Sequence, residues 1–208
     1  MAEITSGIRA ILANPIVYEV FQTLIGSKKY RQNFMNNIVR PLPGTRILDI
    51  GCGPGYFAEF IPDGVDYCGF DLSAKYIARA KSKYGDRASF FCERVSKLSI
   101  KELPAFDVVL AIGVFHHLED EEAVQLCEIA HQALAPNGRL IAAADPCFFP
   151  GQSLIDRFFT KLDRGQNVRT PEQYVALASR FFDNIESHVQ SNQLLIPQSG
   201  HYMICRNT

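Results

Sequence analysis

Short blocks of apolar residues recur along the chain and predict a regular succession of strands and helices. Apolar runs at 47–50, 67–70, 89–92, 106–112 and 140–144 have the length and content of buried strands. Helical periodicity occupies residues 73–84 and about 120–134, and a further helix is expected from Gly55. Strands that alternate with helices in this way predict an α/β fold with a doubly wound, mostly parallel sheet.

Both ends of the chain depart from this alternation. Apolar residues at helical spacing, followed by a Pro- and Gly-containing linker at 41–44, predict a helical cap at the N-terminus. The sequence TPEQ at 170–173 is a capping box with proline at the first helical position, which predicts a helix to about residue 182. Two strands at 185–196 and 201–205, joined by a short Gly-containing connection, predict a terminal antiparallel hairpin.

Composition and charge narrow the class of partner. The 208 residues include 21 basic and 22 acidic ones, so we expect a small or uncharged substrate, with neither nucleic acid nor an anionic membrane as the main partner. Six cysteines without a CxxC pair lie mostly in apolar runs, which is typical of reduced thiols. No apolar stretch has the length of a membrane span and no signal-peptide pattern is present, which favours a cytoplasmic protein.

The segment ILDIGCGPG at 47–55 is the most informative part of the chain. A buried strand is followed by Gly51, Gly53 and Gly55 at alternating positions. Glycine allows left-handed backbone dihedrals and a close approach of the backbone to a ligand. A strand followed by such a turn therefore predicts a small-molecule pocket at the carboxyl end of the strand.

Two ligands compete for this turn. Residues 53–58 satisfy the dinucleotide pattern GxGxxA, and Asp71 lies 18 residues after Gly53, where a ribose-binding carboxylate belongs. Asp49, two residues before Gly51, favours a different ligand, because a carboxylate repels a pyrophosphate and accepts hydrogen bonds from a cationic amino group.

With three later segments, the turn resembles the class I S-adenosylmethionine-dependent methyltransferases, in particular the branch that methylates quinone precursors and natural products. The other segments are CGFDLS at 68–73, FDVVLAIGVFHHL at 106–118 and LAPNGRLIAA at 134–143. The resemblance implies a Rossmann-like fold, a seven-stranded sheet with an antiparallel last strand, S-adenosyl-L-methionine as cofactor and a small-molecule acceptor in secondary metabolism.

On this basis the chain is expected to form a single methyltransferase domain of four consecutive parts. These are a helical cap (1–43), a cofactor-binding core (44–147), a substrate-side insertion with a helix (148–183) and a terminal β-hairpin (184–208).

The resemblance also implies a set of cofactor-binding residues. In the family the acid that ends the second strand takes both ribose hydroxyls, a role that Asp71 matches. An aspartate often contacts adenine after the third strand, but here Arg94, which cannot accept a hydrogen bond, stands there beside Glu93. Adenine contact is therefore expected from Glu93, from the backbone around Val95 or from stacking by Arg94. The full set is Asp49, Gly51, Cys52, Gly53, Gly55, Asp71, Leu72, Glu93, Arg94, Val95, Ile112, Gly113 and Arg31.

Candidate catalytic residues follow the fourth and fifth strands. His116 and His117 stand where the switch-point crevice is expected, and a neutral imidazole is suited to act as a base at physiological pH. The alternative is that one ring packs and the other contacts the cofactor region. Asp145 either orients an acceptor or caps a loop, and no metal site is predicted because further ligands are lacking.

Candidate substrate-binding residues lie in the cap and the insertion. They are Tyr18, Tyr30, Phe148, Arg169 and Tyr174, which either enclose an apolar acceptor with an anionic group or only pack. We thus expect methyl transfer by in-line displacement, driven mainly by proximity, either with or without assistance by a histidine base. The alternatives are an NAD(P)-dependent oxidoreductase and a non-catalytic domain that binds the cofactor or a partner.

Overall fold

The computed structural model describes residues 27–163, 165–191 and 197–207, and its elements follow the predicted alternation. The helices are α1 (Ser27–Phe34), α2 (Ala74–Tyr84), α3 (Lys97–Lys101), α4 (Asp120–Ala133), α5 (Leu154–Lys161) and α6 (Pro171–Ala178). The strands are β1 (Arg46–Ile50), β2 (Asp66–Phe70), β3 (Ser89–Phe91), β4 (Phe106–Ile112), β5 (Leu134–Pro146), β6 (Asn184–Gln190) and β7 (Gly200–Arg206).

The seven strands form one sheet in the order β3-β2-β1-β4-β5-β7-β6. Strands β1 to β5 pair in parallel, and β7 lies antiparallel between β5 and β6. The predicted doubly wound sheet with an antiparallel last strand is therefore confirmed. The strand order reverses between β1 and β4, so a crevice opens at their carboxyl ends.

The sheet is buried on both faces, which explains why its strands read as continuous apolar runs. In β4, Val109 and Ala111 join the core on one face, whereas Val108 and Leu110 join the core on the other. Helix α4 covers the first face and α2 covers the second.

The helix expected from Gly55 is absent. The chain forms turns there and one 3₁₀ turn, Ala58–Phe60, before Ile61 becomes extended. Only six residues separate Gly55 from Pro62, and the residue that precedes a proline is driven out of the helical region. The loop therefore has no room for an α-helix.

Two helices were not predicted, and one ends early. Helix α3 has five residues, too few to show a period. Helix α5 was missed because its buried face is polar, with Asp156 and Thr160 turned inward. Helix α6 starts at Pro171 as predicted, with the Thr170 and Gln173 capping box formed, but ends at Ala178 rather than near residue 182.

The described part of the cap consists of α1 and a π-helical turn, Met35–Val39. Phe34, Met35 and Val39 are buried against the sheet. Residues 1–26, which include Tyr18, and residues 192–196 of the expected hairpin lie outside the described residues. Within the described ranges, none of the helices is both long and apolar enough to cross a membrane.

Candidate active site

The three glycines of the turn after β1 all have positive φ, at 77°, 55° and 79° for Gly51, Gly53 and Gly55. A Cβ on Gly51 would lie 2.7 Å from Val114 Cγ2, so this glycine permits close packing with the segment after β4. A Cβ on Gly53 would meet nothing within 4 Å. The turn thus presents bare backbone to open space at Gly53, as a closely approaching ligand requires.

The amides of this turn are bonded within the protein. The amides of Gly51 and Cys52 donate to the Phe70 carbonyl at 2.8 and 3.0 Å, and the Gly53 amide donates to Asp71 Oδ2 at 3.0 Å. A pyrophosphate is held by free amides at a turn or helix N-terminus. The turn lacks both that helix and these amides, which favours a ligand without phosphates over a dinucleotide.

The Asp71 carboxylate is oriented by two amides. Besides Gly53, the Ser73 amide donates to it, at 2.8 Å to Oδ1. Each carboxylate oxygen has two lone pairs, so each retains one for a further donor. Asp71 therefore has the free acceptors that two ribose hydroxyls need.

Asp49 is buried on β1, where the hydroxyl of Tyr67 on β2 donates to its Oδ2. Burial raises the pKa of Asp49 to about 7, although the hydrogen bond from Tyr67 opposes the rise. A neighbouring cation would stabilise the ionised carboxylate. The pair therefore suits the predicted cationic amino group better than an anion.

A cavity of about 570 Å³ opens beside the turn, at the carboxyl ends of β1, β2 and β3. Six of the predicted cofactor residues line it, namely Gly51, Asp71, Leu72, Glu93, Arg94 and Val95. Its walls are mostly apolar and carry a few polar groups, as the walls of small-molecule sites do. The acid at one end and the apolar walls fit the ribose and adenine of S-adenosylmethionine.

Arg94 lies at the rim of this cavity, where its Nη1 lies 3.0 Å from Glu122 Oε1 on α4. The Arg94 guanidinium holds the pKa of Glu122 below its usual range. The ion pair fixes the guanidinium at the cavity, where its face is suited to stacking. Six apolar lining residues were not predicted, because their sequence shows only the pattern of strand and helix cores; they are Ile50, Phe70, Val114, Leu118, Leu126 and Ile129.

The other predicted cofactor residues lie around the turn. Cys52 is buried, and burial raises the pKa of its thiol. Ile112 ends β4, and the amide of Gly113 donates to the carbonyl of Ala143 at 2.7 Å. The guanidinium of Arg31 lies 4.3 Å from the centre of the Tyr56 ring.

His116 and Asp145 form a buried pair at the ends of β4 and β5. Asp145 Oδ1 accepts from the His116 amide at 3.1 Å and lies 2.7 Å from His116 Nδ1. Nδ1 acts as the donor to this carboxylate oxygen, so in the neutral ring Nε2 is a hydrogen-bond acceptor that can take up a proton. The ring of His117 lies beside that of His116, with 4.0 Å between centroids.

A bulge in β5 accompanies this pair. Ala142 pairs with Met203 and Asp145 with His201, so β5 carries one extra residue between these pairs. Ala144 takes up the extra length with φ of 57°, which is unusual for a residue with a side chain. Bulges re-aim side chains next to functional sites, and this one precedes Asp145 directly.

A second cavity, of about 400 Å³, adjoins the pair. Its lining includes Tyr30, Ala144, Pro146, Asp163 and Ser199. Asp163, which lines this cavity, places its Oδ1 3.3 Å from His116 Nε2. Asp163 was not predicted, because nothing in its local sequence distinguishes it from a surface acid.

The remaining predicted substrate residues are differently placed. All five N–H donors of Arg169 are bonded, to Asp120, Asn167 and the carbonyls of Phe115 and Leu118. Tyr174 is buried and donates to the Pro146 carbonyl at 3.0 Å. Phe148 lies 5.5 Å from the Arg157 guanidinium. Arg169 and Tyr174 thus hold the insertion to the core, and Arg169 has no donor left for an anionic group.

No group of three potential metal ligands occurs in residues 27–163, 165–191 and 197–207.

Residues 48–140 match the family model described as a methyltransferase domain. A ubiquinone biosynthesis O-methyltransferase of Idiomarina loihiensis is 27% identical over 124 residues, which is 58% of this chain and 50% of that protein. One of the same name from Rhodopseudomonas palustris is 36% identical over 108 residues, 49% of this chain and 40% of that protein. The chain spans half or less of the length of these relatives.

Solved structures share the fold. A methyltransferase of Archaeoglobus fulgidus aligns with a TM-score of 0.69 at 18% identity and covers 90% of this chain and 98% of its own. The magnesium protoporphyrin IX methyltransferase of Synechocystis, solved with the demethylated cofactor bound, aligns with a TM-score of 0.66 at 18% identity. The alignment covers 90% of this chain and 87% of that protein. These structures confirm the predicted fold, and the family model places a methyltransferase-domain match on residues 48–140.

Proposed function

We propose that the protein transfers the methyl group of S-adenosylmethionine to a hydroxyl oxygen of a small-molecule acceptor, which the methyltransferase-domain match of residues 48–140 supports. The curated relatives reported above are O-methyltransferases by name, which supports oxygen as the reacting atom. The family and the engaged amides of the turn favour this function over the alternative of a nicotinamide-dependent oxidoreductase.

The observation that carries the proposal is that residues next to His116 line both cavities. Val114, two residues before it, lines the cavity that fits the cofactor, and Asp163, next to its Nε2, lines the second cavity. A Cβ on Gly113, at the end of β4, would lie 3.8 Å from His116 Cε1 and 3.9 Å from the Ala144 carbonyl. An acceptor in the second cavity would therefore meet His116 at the boundary with the cofactor.

The chain's own residues have three tasks in this reaction. When bound, S-adenosylmethionine supplies an electrophilic sulfonium methyl group. Asp145 orients His116 through Nδ1, so that Nε2 would take the proton of the acceptor hydroxyl. Asp163 faces the same nitrogen and stabilises the imidazolium that results. The turn and Asp71 position the donor.

All six cysteines are free thiols, five of them buried. Free thiols are typical of proteins that work in a reducing compartment, which supports the cytoplasm as the place of action. Small-molecule metabolism is the proposed setting.

Calorimetry with the demethylated cofactor, followed by transfer of labelled methyl groups to small molecules of a cell extract, tests the proposal. We expect His116→Asn to bind the cofactor normally and to transfer methyl groups about 10²-fold more slowly. His188→Asn, on the exposed strand β6, is the matched control and should transfer at the normal rate.

Absence of any cofactor heat would refute the methyltransferase proposal as a whole. Normal transfer by the His116 variant would refute only the role of the base and leave proximity as the mechanism.

A further inference from the structure

Helix α5 is amphipathic in the inverted sense. Asp156 and Thr160 face the protein, whereas Leu154, Ile155 and Phe158 are exposed, as is Leu162 directly after the helix. Leu154 is 86% exposed. Helices that pack on a protein core bury their apolar stripe, so this exposed stripe has some other use.

The polar side of α5 is firmly attached. Asp156 accepts from the Ser199 amide at 3.0 Å and from the Ser199 hydroxyl at 2.6 Å, and from Gln152 Nε2 at 3.0 Å. The hydrogen bonds from Ser199 and Gln152 lower the pKa of Asp156 despite its burial. The orientation of the helix is therefore set by specific bonds, and its apolar stripe faces outward by construction.

Basic residues border the stripe. At 100° per residue, Leu154, Phe158, Leu162 and Ile155 span about a quarter of the helix circumference. Arg157 and Lys161 stand along one edge of it and are exposed. Apolar side chains flanked by Arg and Lys form the pattern of a helix that lies in a membrane interface.

The area of the stripe argues against a stable dimer. Four side chains that are about half or more exposed present on the order of 400 Å² of apolar surface. A stable protein–protein interface takes about 800 Å² from each partner. An interfacial helix needs only its own apolar face and flanking positive charge.

We propose that α5 docks this protein onto an anionic lipid surface, with Leu154, Ile155, Phe158 and Leu162 inserted between lipid headgroups. The second cavity lies beside the docked face, since Asp163 follows α5 and Ser199 is bonded to Asp156. An acceptor partitioned into the lipid surface would thus reach the cavity directly. The even charge of the whole chain predicted that an anionic membrane is not the main partner. The edge of α5 differs from this average, because Arg157 and Lys161 make it locally basic.

Sedimentation of the whole protein with phosphatidylcholine vesicles, with and without phosphatidylglycerol, tests this docking without cofactor or acceptor. We expect binding to the anionic vesicles and a loss of about tenfold or more for Leu154→Ser or Phe158→Ser. Arg157→Gln should weaken binding to anionic vesicles only, and more so at low salt. Leu98→Ser on α3 is the matched control, because Leu98 is 77% exposed but lies away from α5, and it should bind as wild type does.

Equal vesicle binding by wild type and Leu154→Ser would overturn the proposal, as would the absence of binding to anionic vesicles. A fall in mass of Leu154→Ser by light scattering, without vesicle binding by the wild type, would identify a second copy as the occupant and also overturn it. Cofactor binding is measured separately, so failure of lipid docking and failure of the methyltransferase proposal are distinguishable.

Discussion

Replacing Arg169 by methionine separates two roles for this residue, the binding of an anionic acceptor and the attachment of the insertion to the core. Arg169 is buried, and its guanidinium donates to the Phe115 carbonyl at 2.9 Å and to the Leu118 carbonyl at 2.7 Å. It also forms two bonds to Asp120 Oδ1, at 3.0 and 2.7 Å. Methionine keeps the apolar stem but removes all of these donors.

The structure sets the size of the expected effect. Each of the two buried carbonyls loses a charged donor, at a cost of about 1.5 kcal/mol. The ion pair adds less than about 1 kcal/mol, because the Asp120 side chain is 72% exposed. We expect Arg169→Met to lose about 3 kcal/mol from a free energy of unfolding of roughly 5–15 kcal/mol.

Urea unfolding and steady-state kinetics together decide between the roles. An attachment role predicts a lower unfolding midpoint and a lower kcat, because the Phe115 carbonyl that Arg169 holds directly precedes His116. Arg180→Met, at an exposed position, is the control and should unfold like wild type. An unchanged midpoint with a raised KM for the acceptor would refute the attachment role.

Three further changes test the donor side and the base. Asp71→Ala should weaken cofactor binding by about 1–3 kcal/mol in calorimetry, because charge-assisted bonds to the ribose are lost. Asp49→Asn should flatten the pH dependence of stability. Because the pKa of Asp49 is about 7 in the folded protein, the carboxyl binds more protons in the folded than in the unfolded state between about pH 4 and 7. In wild type this carboxyl therefore makes the free energy of unfolding fall over that range as pH rises, by up to ~1.4 kcal/mol per pH unit. Gly165→Ala would put a Cβ 2.1 Å from His116 Cδ2, so methyl transfer should fall about tenfold or more with cofactor affinity unchanged.

Each of these changes has its own control. Asp66→Ala removes an exposed acid from β2, the strand that Asp71 follows, and equal losses in both variants would argue against the ribose contact. Burial lowers the pKa of His201 to about 4, so His201 makes stability rise with pH between about 4 and 6.5. The difference between wild type and Asp49→Asn is therefore the informative quantity. For Gly165→Ala the cofactor affinity is the internal control, and unchanged methyl transfer by this variant would argue against a role of His116 in the reaction.

The sequence predicted the sheet well because each central strand is buried on both faces. The run at 106–112 coincides with β4 to the residue, since apolar side chains are required at nearly every position there. Where burial is one-sided or inverted, the pattern fails. Helix α5 turns Asp156 inward and Leu154 outward. Helical periodicity assumes that the apolar face of a helix is the buried one, so for α5 it predicts the wrong buried face.

The two halves of the candidate site differ in the same way. Asp49, Gly53 and Asp71 lie within 23 residues of sequence, and local spacing alone predicted a common pocket. Asp163 is 47 residues from His116, and their 3.3 Å contact exists only because the insertion folds back over the end of β4. Arg169 was predicted to bind substrate, because a sequence shows the charge of an arginine but not the carbonyls that surround it.

The acceptor side of the site is built mostly from residues beyond the part of the chain that the family model matches. The match ends at residue 140, whereas Asp145, Asp163 and Ser199 follow it. These residues are joined by bonds across the fold: Asp145 to His116, and Ser199 to Asp156 on α5. On the proposed function, donor binding and acceptor choice reside in separable stretches of sequence. Substitutions at Asp163 or Ser199 are then expected to change which acceptor is methylated, while the affinity for the cofactor stays the same.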